Sequence, residues 1–136
     1  MKPCVVFFSR TGNTKRFAQA ISDAVKAPLF DMASTQPAAL ADFDFLILGT
    51  PVEGASPAKE TAAYIETLPK VENKKAFLFC TYRAFGNERT MKKMERLLES
   101  KGYATVGKVS KKGMKPDKQE DFSKELAEVR KTLEKQ

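Results

Sequence analysis

The stretch CVVFFSRTGNTKRF, residues 4–17, decides the fold because it combines a strand, a polar loop and the start of a helix. Residues 3–9 are mostly β-branched and aromatic, and the run is short enough to be a strand buried on both faces. Behind the loop, apolar residues starting at Phe17 recur at i, i+4, i+7 and i+8, which predicts an amphipathic helix. The loop itself is rich in hydroxyl, amide and glycine residues, namely Ser9, Thr11, Gly12, Asn13 and Thr14.

Four more β-like segments follow, separated by helix-like segments. FLILGT at residues 45–50 and KAFLFCTY at residues 75–82 are strong strands, whereas PLFDM at 28–32 and ATVGKV at 104–109 are weaker ones. Five strands that alternate with helices predict a doubly wound parallel sheet with right-handed crossovers and helices on both faces, a three-layer α/β/α fold. From the length of the chain, we expect residues 1–136 to form a single domain.

Several helix boundaries are marked in the sequence. Ser56 followed by Pro57 resembles an N-cap and the first residue of a helix. Pro116 and Asp117 are predicted to open the final helix, with Glu120 as the capping-box partner of Asp117. The helix after the strand KAFLFCTY is predicted to leave a basic face outside, which consists of Arg89, Lys92, Lys93 and Arg96.

The composition limits the possible functions. The 136 residues include no histidine, so mechanisms that need imidazole as a general base or metal ligand are excluded. Cys4 and Cys80 each lie in a β-like segment and are expected to be buried, which supports neither a disulfide framework nor a zinc cluster. No apolar run approaches the roughly 20 residues of a membrane span, and the first residues lack the features of a signal peptide. A cytoplasmic location is therefore expected.

The net charge of +7 is unevenly distributed. Residues 1–69 carry 6 basic and 7 acidic side chains, whereas residues 70–136 carry 18 basic and 10 acidic ones. A basic half of this kind can attract an acidic protein, nucleic acid or an anionic membrane. Because the basic side chains lie among Glu and Asp without interleaved aromatic residues, nucleic acid is not favoured, and a solvated helix face is the common explanation.

Ligands of doubly wound sheets bind beyond the carboxyl ends of the strands, where the winding reverses. The loops that follow the three strong strands are residues 9–14, 49–57 and 81–88. The first of them fits a phosphate, because unpaired N–H groups and the positive dipole end of the following helix favour an anion. Gly12 can take the backbone angles at which successive N–H groups converge. Hydroxyl groups are available from Ser9, Thr11 and Thr14.

Three other phosphate-binding motifs do not fit this loop. Gly12 is the only glycine before Gly49, which excludes the Walker loop and the three-glycine dinucleotide fingerprint. Residues 4–11 do match the C-x5-R-S/T pattern of cysteine-dependent phosphatases. In those enzymes, however, the cysteine starts the loop, whereas residues 5–8 of a core strand separate Cys4 from the loop here. Cys4 is therefore expected to be buried, protonated and unreactive.

The hexapeptide Ser9-Arg10-Thr11-Gly12-Asn13-Thr14 resembles the phosphate loop of flavodoxins, Ser/Thr-x-Thr-Gly-x-Thr directly after the first strand, at all four specified positions. FLILGTPVEGASP and FCTYRAFGN resemble the second and third flavin loops, and ATVGKVSKKG with its closing helix resembles the carboxyl end of the family. The resemblance implies a flavodoxin-like strand order of 2-1-3-4-5 and an FMN cofactor whose phosphate lies on residues 9–14. That order places a strand between Cys4 and Cys80, about 10 Å apart, which is too far for a disulfide.

The resemblance also implies which residues hold the isoalloxazine ring of FMN, namely Thr50, Pro51, Val52, Glu53, Gly54, Thr81, Tyr82, Arg83, Phe85 and Gly86. Relatives often carry an aromatic residue at about the position of Glu53, and this second loop has none. Tyr82 and Phe85 are left to cover the ring, with Gly86 allowing the backbone close to the flavin edge. Alternatively, Tyr82 ends its strand in the core and Phe85 packs beneath the loop. A charge on Glu53 near the ring would lower the potential at which the anionic reduced flavin forms.

The function implied by the resemblance is that of an FMN protein that carries electrons between redox partners, without a catalytic acid or base. An FMN-dependent reductase of a quinone or another small acceptor is a second hypothesis. A flavin-free basic interaction module is a third, so the sequence leaves open whether the chain is an enzyme. Flavodoxins are typically acidic, whereas this chain carries a net charge of +7, which suggests either an acidic redox partner or a role other than free electron shuttling.

Overall fold

The computed structural model describes all residues from Met1 to Gln136. The strands are β1 (Pro3–Phe7), β2 (Leu29–Asp31), β3 (Phe45–Glu53), β4 (Ser56–Pro57), β5 (Lys74–Tyr82) and β6 (Tyr103–Lys112). The helices are α1 (Asn13–Val25), α2 (Lys59–Thr67), α3 (Asn87–Glu99) and α4 (Ser123–Glu134). None of the helices combines the length and the apolar character that crossing a membrane would need. Two short 3-10 turns, Met32–Ser34 and Pro37–Leu40, connect β2 to β3.

Five strands form a parallel sheet in the order β2-β1-β3-β5-β6, and the short β4 pairs antiparallel with the end of β3. Counted along the parallel strands alone, this order is 2-1-3-4-5, which confirms the predicted fold. The chain moves outward from β1 to β2 on one side and from β3 to β5 and β6 on the other. The winding therefore reverses between β1 and β3, where doubly wound sheets bind their ligands.

The core lies on both faces of the sheet because alternate residues of each strand point to opposite sides. Cys4 and Val6 of β1 belong to a buried cluster with apolar side chains of α2 and α3. Val5 and Phe7 of the same strand belong to a second cluster with side chains of α1 and α4. Two helices on each face give the three-layer arrangement that the sequence predicts.

Helix α3 has the predicted two-sided character. Met91, Met94 and Leu98 are buried against the sheet. The basic side chains lie exposed on the opposite side, namely Arg89, Lys92, Lys93 and Arg96. The spacing of apolar residues thus predicted this face correctly, because α3 has a single packed side.

The predicted start of α2 is wrong. Ser56 and Pro57 do not open the helix but form β4, which pairs with Val52 and Glu53 at the end of β3. Helix α2 begins two residues later, at Lys59. The local sequence suits a helix start, but backbone pairing with the extended end of β3 determines the conformation instead.

The predicted start of α4 is also wrong, because the helix begins at Ser123 rather than at Pro116. A carboxylate oxygen of Asp121 accepts hydrogen bonds from the Ser123 backbone N–H, at 2.9 Å, and from the Ser123 hydroxyl. The guanidinium of Arg16 donates to the carbonyl oxygens of Lys115 and Lys118. These contacts hold residues 115–118 against α1 as an irregular segment.

The two thiols are buried, free and farther apart than expected. Cys4 pairs with Leu46 of β3, whereas Cys80 pairs with Thr50, four residues further along the same strand. Two strand spacings and this offset separate the cysteines by roughly 16 Å, which excludes a disulfide between them. Burial raises the pKa of both thiols to about 12, so Cys4 is protonated and unsuited to the role of a phosphatase nucleophile.

Candidate functional site

A cavity of about 530 Å³ lies at the carboxyl ends of β1, β3, β5 and β6. Its wall consists of four segments, which lie around residues 10–13, 51–53, 81–83 and 113–116. This volume falls in the range of roughly 300–1,000 Å³ that is typical of small-molecule sites. The cavity is therefore at the position, and of the size, that the doubly wound fold predicts for a ligand.

The loop after β1 ends in a helix N-terminus that carries free hydrogen-bond donors. Gly12 is the N-cap of α1 and has a φ of 98°, which lies in the left-handed region that favours glycine. The Ser9 hydroxyl oxygen accepts the backbone N–H groups of Gly12 at 3.1 Å and of Lys15 at 3.2 Å. Three other N–H groups of this turn have no acceptor in the protein, namely those of Thr11, Asn13 and Thr14. Together with the helix dipole, these donors form a site for an anion.

The threonine hydroxyls of this loop have different surroundings. Thr14 is buried, and its hydroxyl oxygen lies 2.7 Å from that of Thr81 at the end of β5. This hydrogen bond joins the first wall of the cavity to the third. Thr11 is exposed and its hydroxyl makes no hydrogen bond within the protein, so it is available to a ligand.

The end of β3 and β4 form a hairpin at the rim of the cavity. Glu53 pairs with Ser56, and the two residues between them, Gly54 and Ala55, have φ angles of 61° and 59°. Two successive positive φ angles are the pattern of a type I′ turn, which suits a two-residue hairpin connection. The hairpin presents Pro51, Val52 and Glu53 to the cavity, while Gly54 lies exposed at its tip.

Thr50 holds the start of α2 and does not line the cavity. The residue is fully buried. Its hydroxyl oxygen lies 2.8 Å from that of Thr61 and accepts the Ala58 backbone N–H at 3.1 Å. This threonine therefore positions the hairpin and the helix that follows it.

Arg10 connects the loop after β1 to the hairpin. Its Nε lies 2.6 Å from Glu53 Oε2, and its Nη2 lies 2.9 Å from Glu53 Oε1 and 2.8 Å from Glu60 Oε1. The guanidinium also lies over the ring of Phe8, 5.0 Å from its centroid. The hydrogen bond from Arg10 lowers the pKa of the Glu60 carboxyl. Glu53, which the sequence presented as a lone charge, is thus part of an ion-pair cluster.

The two aromatic residues of the third loop lie in different environments. Tyr82 is half-buried and lines the cavity, whereas Phe85 does not line it. The Phe85 side chain is 77% exposed, so it does not pack beneath the loop either. Tyr82 is therefore the one aromatic side chain in the cavity wall.

Gly86 brings the third loop into contact with the hairpin. It is the N-cap of α3, with a φ of 94°. A Cβ at this position would lie 2.8 Å from the Cα of Ala55, closer than side chains tolerate. Glycine at this position therefore permits a close approach of the third loop to the hairpin, whereas the expected approach to the flavin edge stays a prediction.

The fourth wall, residues 113–116, was not predicted. The Gly113 N–H donates to the Tyr82 carbonyl at 2.8 Å, and Asn13 Nδ2 donates to the Met114 carbonyl at 3.2 Å. Arg16 Nη1 donates to the Lys115 carbonyl at 2.8 Å. The sequence could have indicated this wall, because the segment directly follows β6, whose carboxyl end lies at the same sheet edge as those of β1, β3 and β5. The rule that selected the other loops also applies to this one.

The predicted binding residues fall into two groups. Nine line the cavity, namely Arg10, Thr11, Asn13, Pro51, Val52, Glu53, Thr81, Tyr82 and Arg83. The remaining seven are Ser9, Gly12, Thr14, Thr50, Gly54, Phe85 and Gly86. Most of this second group shape the loops, through the hydrogen bonds, tight turns and close approaches described above.

Comparison with known proteins assigns the family. Residues 4–136 match the flavodoxin domain family. The chain is 30% identical to the flavodoxin of Megasphaera elsdenii over 111 residues, which cover 76% of this chain and 80% of that protein. It is similar to oxidised flavodoxin 2 of Bacillus cereus, with a TM-score of 0.81 and 20% identity over 100% of both chains. It is also similar to two-electron reduced M. elsdenii flavodoxin, with a TM-score of 0.76 and 26% identity over 98% and 99% of the two chains. The chain therefore belongs to the flavodoxin family, whose members are FMN-binding electron-transfer proteins.

Proposed function

We propose that this chain binds FMN in the cavity at the carboxyl ends of the strands and carries electrons between redox partners. The observation that carries the proposal is the set of three unpaired N–H groups at the start of α1, beside a cavity of suitable size. Bound FMN would supply the electron-transfer chemistry, and the protein would supply binding, orientation and electrostatics.

The phosphate group of FMN fits the loop after β1. The backbone N–H groups of Thr11, Asn13 and Thr14 would donate to it, as would the free hydroxyl of Thr11. Hydrogen bonds to a charged acceptor are stronger than those to a neutral one. No lysine or arginine is required for this role, and Arg10 is already engaged by two carboxylates.

The isoalloxazine ring fits the cleft between the hairpin and the third loop. Pro51 and Val52 would contact it from the hairpin, and Tyr82 from the end of β5. Tyr82 combines a flat apolar face with a polar tip, which suits a ring that is both aromatic and polar. The fourth wall would enclose the ligand further through the buried side chain of Met114.

A titration that compares FMN with riboflavin tests the proposal. FMN is expected to bind with quenching of its fluorescence, whereas riboflavin, which lacks the phosphate, is expected to bind at least about 100-fold more weakly. That factor corresponds to two lost hydrogen bonds to a charged group at roughly 1.5 kcal/mol each. Thr11→Val is expected to weaken FMN binding without changing riboflavin binding. Absence of FMN binding, or equal affinity for the two flavins, would contradict the proposal.

We further propose that the redox partner is an acidic protein. Arg83 and Lys115 line the cavity and are exposed, and the exposed Lys112 and Phe85 lie close by in sequence. Opposite charges steer association, and salt screens this effect. Electron transfer to an acidic ferredoxin should therefore slow as ionic strength rises, whereas transfer to basic cytochrome c should not. A rate of electron transfer to ferredoxin that does not depend on salt would argue against an acidic partner. Steady turnover of a quinone with a reduced nicotinamide would argue against the role of an electron carrier.

A further inference from the structure

Arg10 is the one residue whose side chain hydrogen-bonds the phosphate loop to the hairpin. Its guanidinium makes a bidentate contact with Glu53 and a third hydrogen bond with Glu60. The three residues belong to three separate segments, the loop after β1, the end of β3 and the first turn of α2. A bidentate Arg–carboxylate pair fixes both the distance and the orientation of the groups it joins.

The hairpin is anchored at its base, where Pro57 is buried, whereas its tip at Gly54 is exposed. Strand β4 has two residues, and its pairing with β3 consists of Val52 with Pro57 and Glu53 with Ser56. Two-stranded ribbons are marginally stable on their own. Ala55 also takes a left-handed conformation, at a φ of 59°, which is unfavourable for a residue with a Cβ. The Thr50 hydroxyl holds the Ala58 end of the hairpin and Gly86 contacts its tip at Ala55. Arg10 supplies the side-chain link on the Glu53 side.

We infer that Arg10 is a positioning residue that holds the hairpin against the phosphate loop before the flavin binds. The inference rests on the proposed function, since the cavity it preserves is the proposed FMN site. When only a fraction of the molecules has the binding-competent conformation, the apparent affinity for the ligand is reduced in proportion to that fraction. Arg10 raises that fraction by joining the two walls through Glu53. Glu53 therefore contributes to the site through this bridge.

The bridge also balances charge at the rim of the cavity. Without Arg10, the carboxylates of Glu53 and Glu60 would face each other without a cation between them. Two uncompensated negative charges beside the flavin would oppose formation of its anionic reduced form. Arg10 thus offsets the effect that Glu53 alone was expected to have on the reduction potential.

Hydrogen–deuterium exchange on the flavin-free protein tests the positioning role without the cofactor. Arg10→Gln is expected to speed exchange of the backbone amides of residues 53–58, because the bridge is lost. Lys15→Gln is the matched control, since it removes the same charge from a neighbouring exposed side chain that takes part in no ion pair. Its hairpin exchange should equal that of the wild type. Equal hairpin exchange in Arg10→Gln and the wild type would overturn the inference.

Flavin binding distinguishes positioning from a direct contact with the phosphate. If Arg10 acts through the hairpin, Arg10→Gln should weaken FMN and riboflavin binding by the same factor, about two- to fivefold for an exposed bridge. Addition of Glu53→Gln to Arg10→Gln should cause no further loss. A loss confined to FMN would show that Arg10 binds the phosphate, and would overturn the inference.

The potential provides a third readout. Arg10→Gln should lower the midpoint potential of the step that forms the anionic reduced flavin, whereas Arg10→Lys, which keeps the charge, should leave it close to the wild-type value. An unchanged potential in Arg10→Gln would contradict the charge-balancing role. If the wild type binds no FMN, the proposed function fails, while the exchange experiment still decides whether Arg10 holds the hairpin.

Discussion

Replacing Thr14 with valine should destabilise the protein by leaving a buried hydroxyl without a partner. Thr14 and Thr81 are 1% and 6% exposed, and each hydroxyl is the other's side-chain hydrogen-bond partner, at 2.7 Å. Valine keeps the shape of threonine but cannot hydrogen-bond. An unsatisfied buried hydroxyl costs roughly 1–3 kcal/mol, so Thr14→Val and Thr81→Val should each lower the free energy of unfolding by about that amount.

The double variant makes this prediction sharper. With both hydroxyls replaced, no polar group is left unpaired, so the loss should be well below the sum of the two single losses. The measurement is urea denaturation of the four flavin-free proteins, with linear extrapolation to water. Thr11→Val, which alters an exposed hydroxyl of the same loop, should change stability by less than about 0.5 kcal/mol.

Two results would refute this reasoning. Single variants that lose less than about 0.5 kcal/mol each would show that the buried hydroxyls do not depend on one another. Losses that add fully in the double variant would show that the two side chains are energetically independent. Either outcome would mean that this hydrogen bond does not join the first and third walls of the cavity.

Two further predictions concern the core. Phe17 is fully buried, lies edge-on to Phe79 with ring centroids 5.3 Å apart and stacks on Phe122 at 5.0 Å. Phe17→Ala should therefore lower the free energy of unfolding, measured in urea, by about 3–5 kcal/mol. A loss below about 1 kcal/mol would contradict this packing. Burial raises the pKa values of Cys4 and Cys80 to about 12. Both thiols should therefore resist an aromatic disulfide reagent at pH 8 in the native protein and react with it once urea unfolds the protein. Rapid labelling of either native thiol would refute their assignment to the core.

The sequence predicts most of the fold because the relevant signals are local. The apolar runs that became β1, β3 and β5 and the apolar stripe of α3 depend on residues within a few positions of one another. The helix starts at Ser56 and Pro116 were wrong because backbone pairing in a hairpin and side-chain contacts from another helix determine these segments. Pairing with β3 makes Ser56 part of a strand, and Arg16 holds residues 115–118 away from a helical conformation.

The candidate site also has one part that local sequence predicts and one part that depends on tertiary contacts. A strand, a hydroxyl-rich loop with Gly12 and a helix start are encoded in consecutive residues, so the anion-binding loop could be predicted from the sequence alone. The rule that selected the other loops also applies to the fourth wall at residues 113–116, because this segment follows β6. Its contact with the phosphate loop could not be predicted, since Asn13 reaches Met114 across 101 positions of the chain.

By itself, the sequence determined the α/β alternation and the strand, polar loop and helix start of residues 4–17, because these follow from periodicity and local backbone chemistry. That the carboxyl edge of the sheet binds the ligand and that residues 9–14 bind its phosphate stay predictions. The tertiary structure alone decided that Arg10 pairs with Glu53 and Glu60, 43 and 50 positions away, and that Thr14 bonds to Thr81. The physical reason is that a side chain's partner depends on where the folded chain places it. The charge of Glu53, isolated in the sequence, therefore acquired its neutralising partner only through the fold.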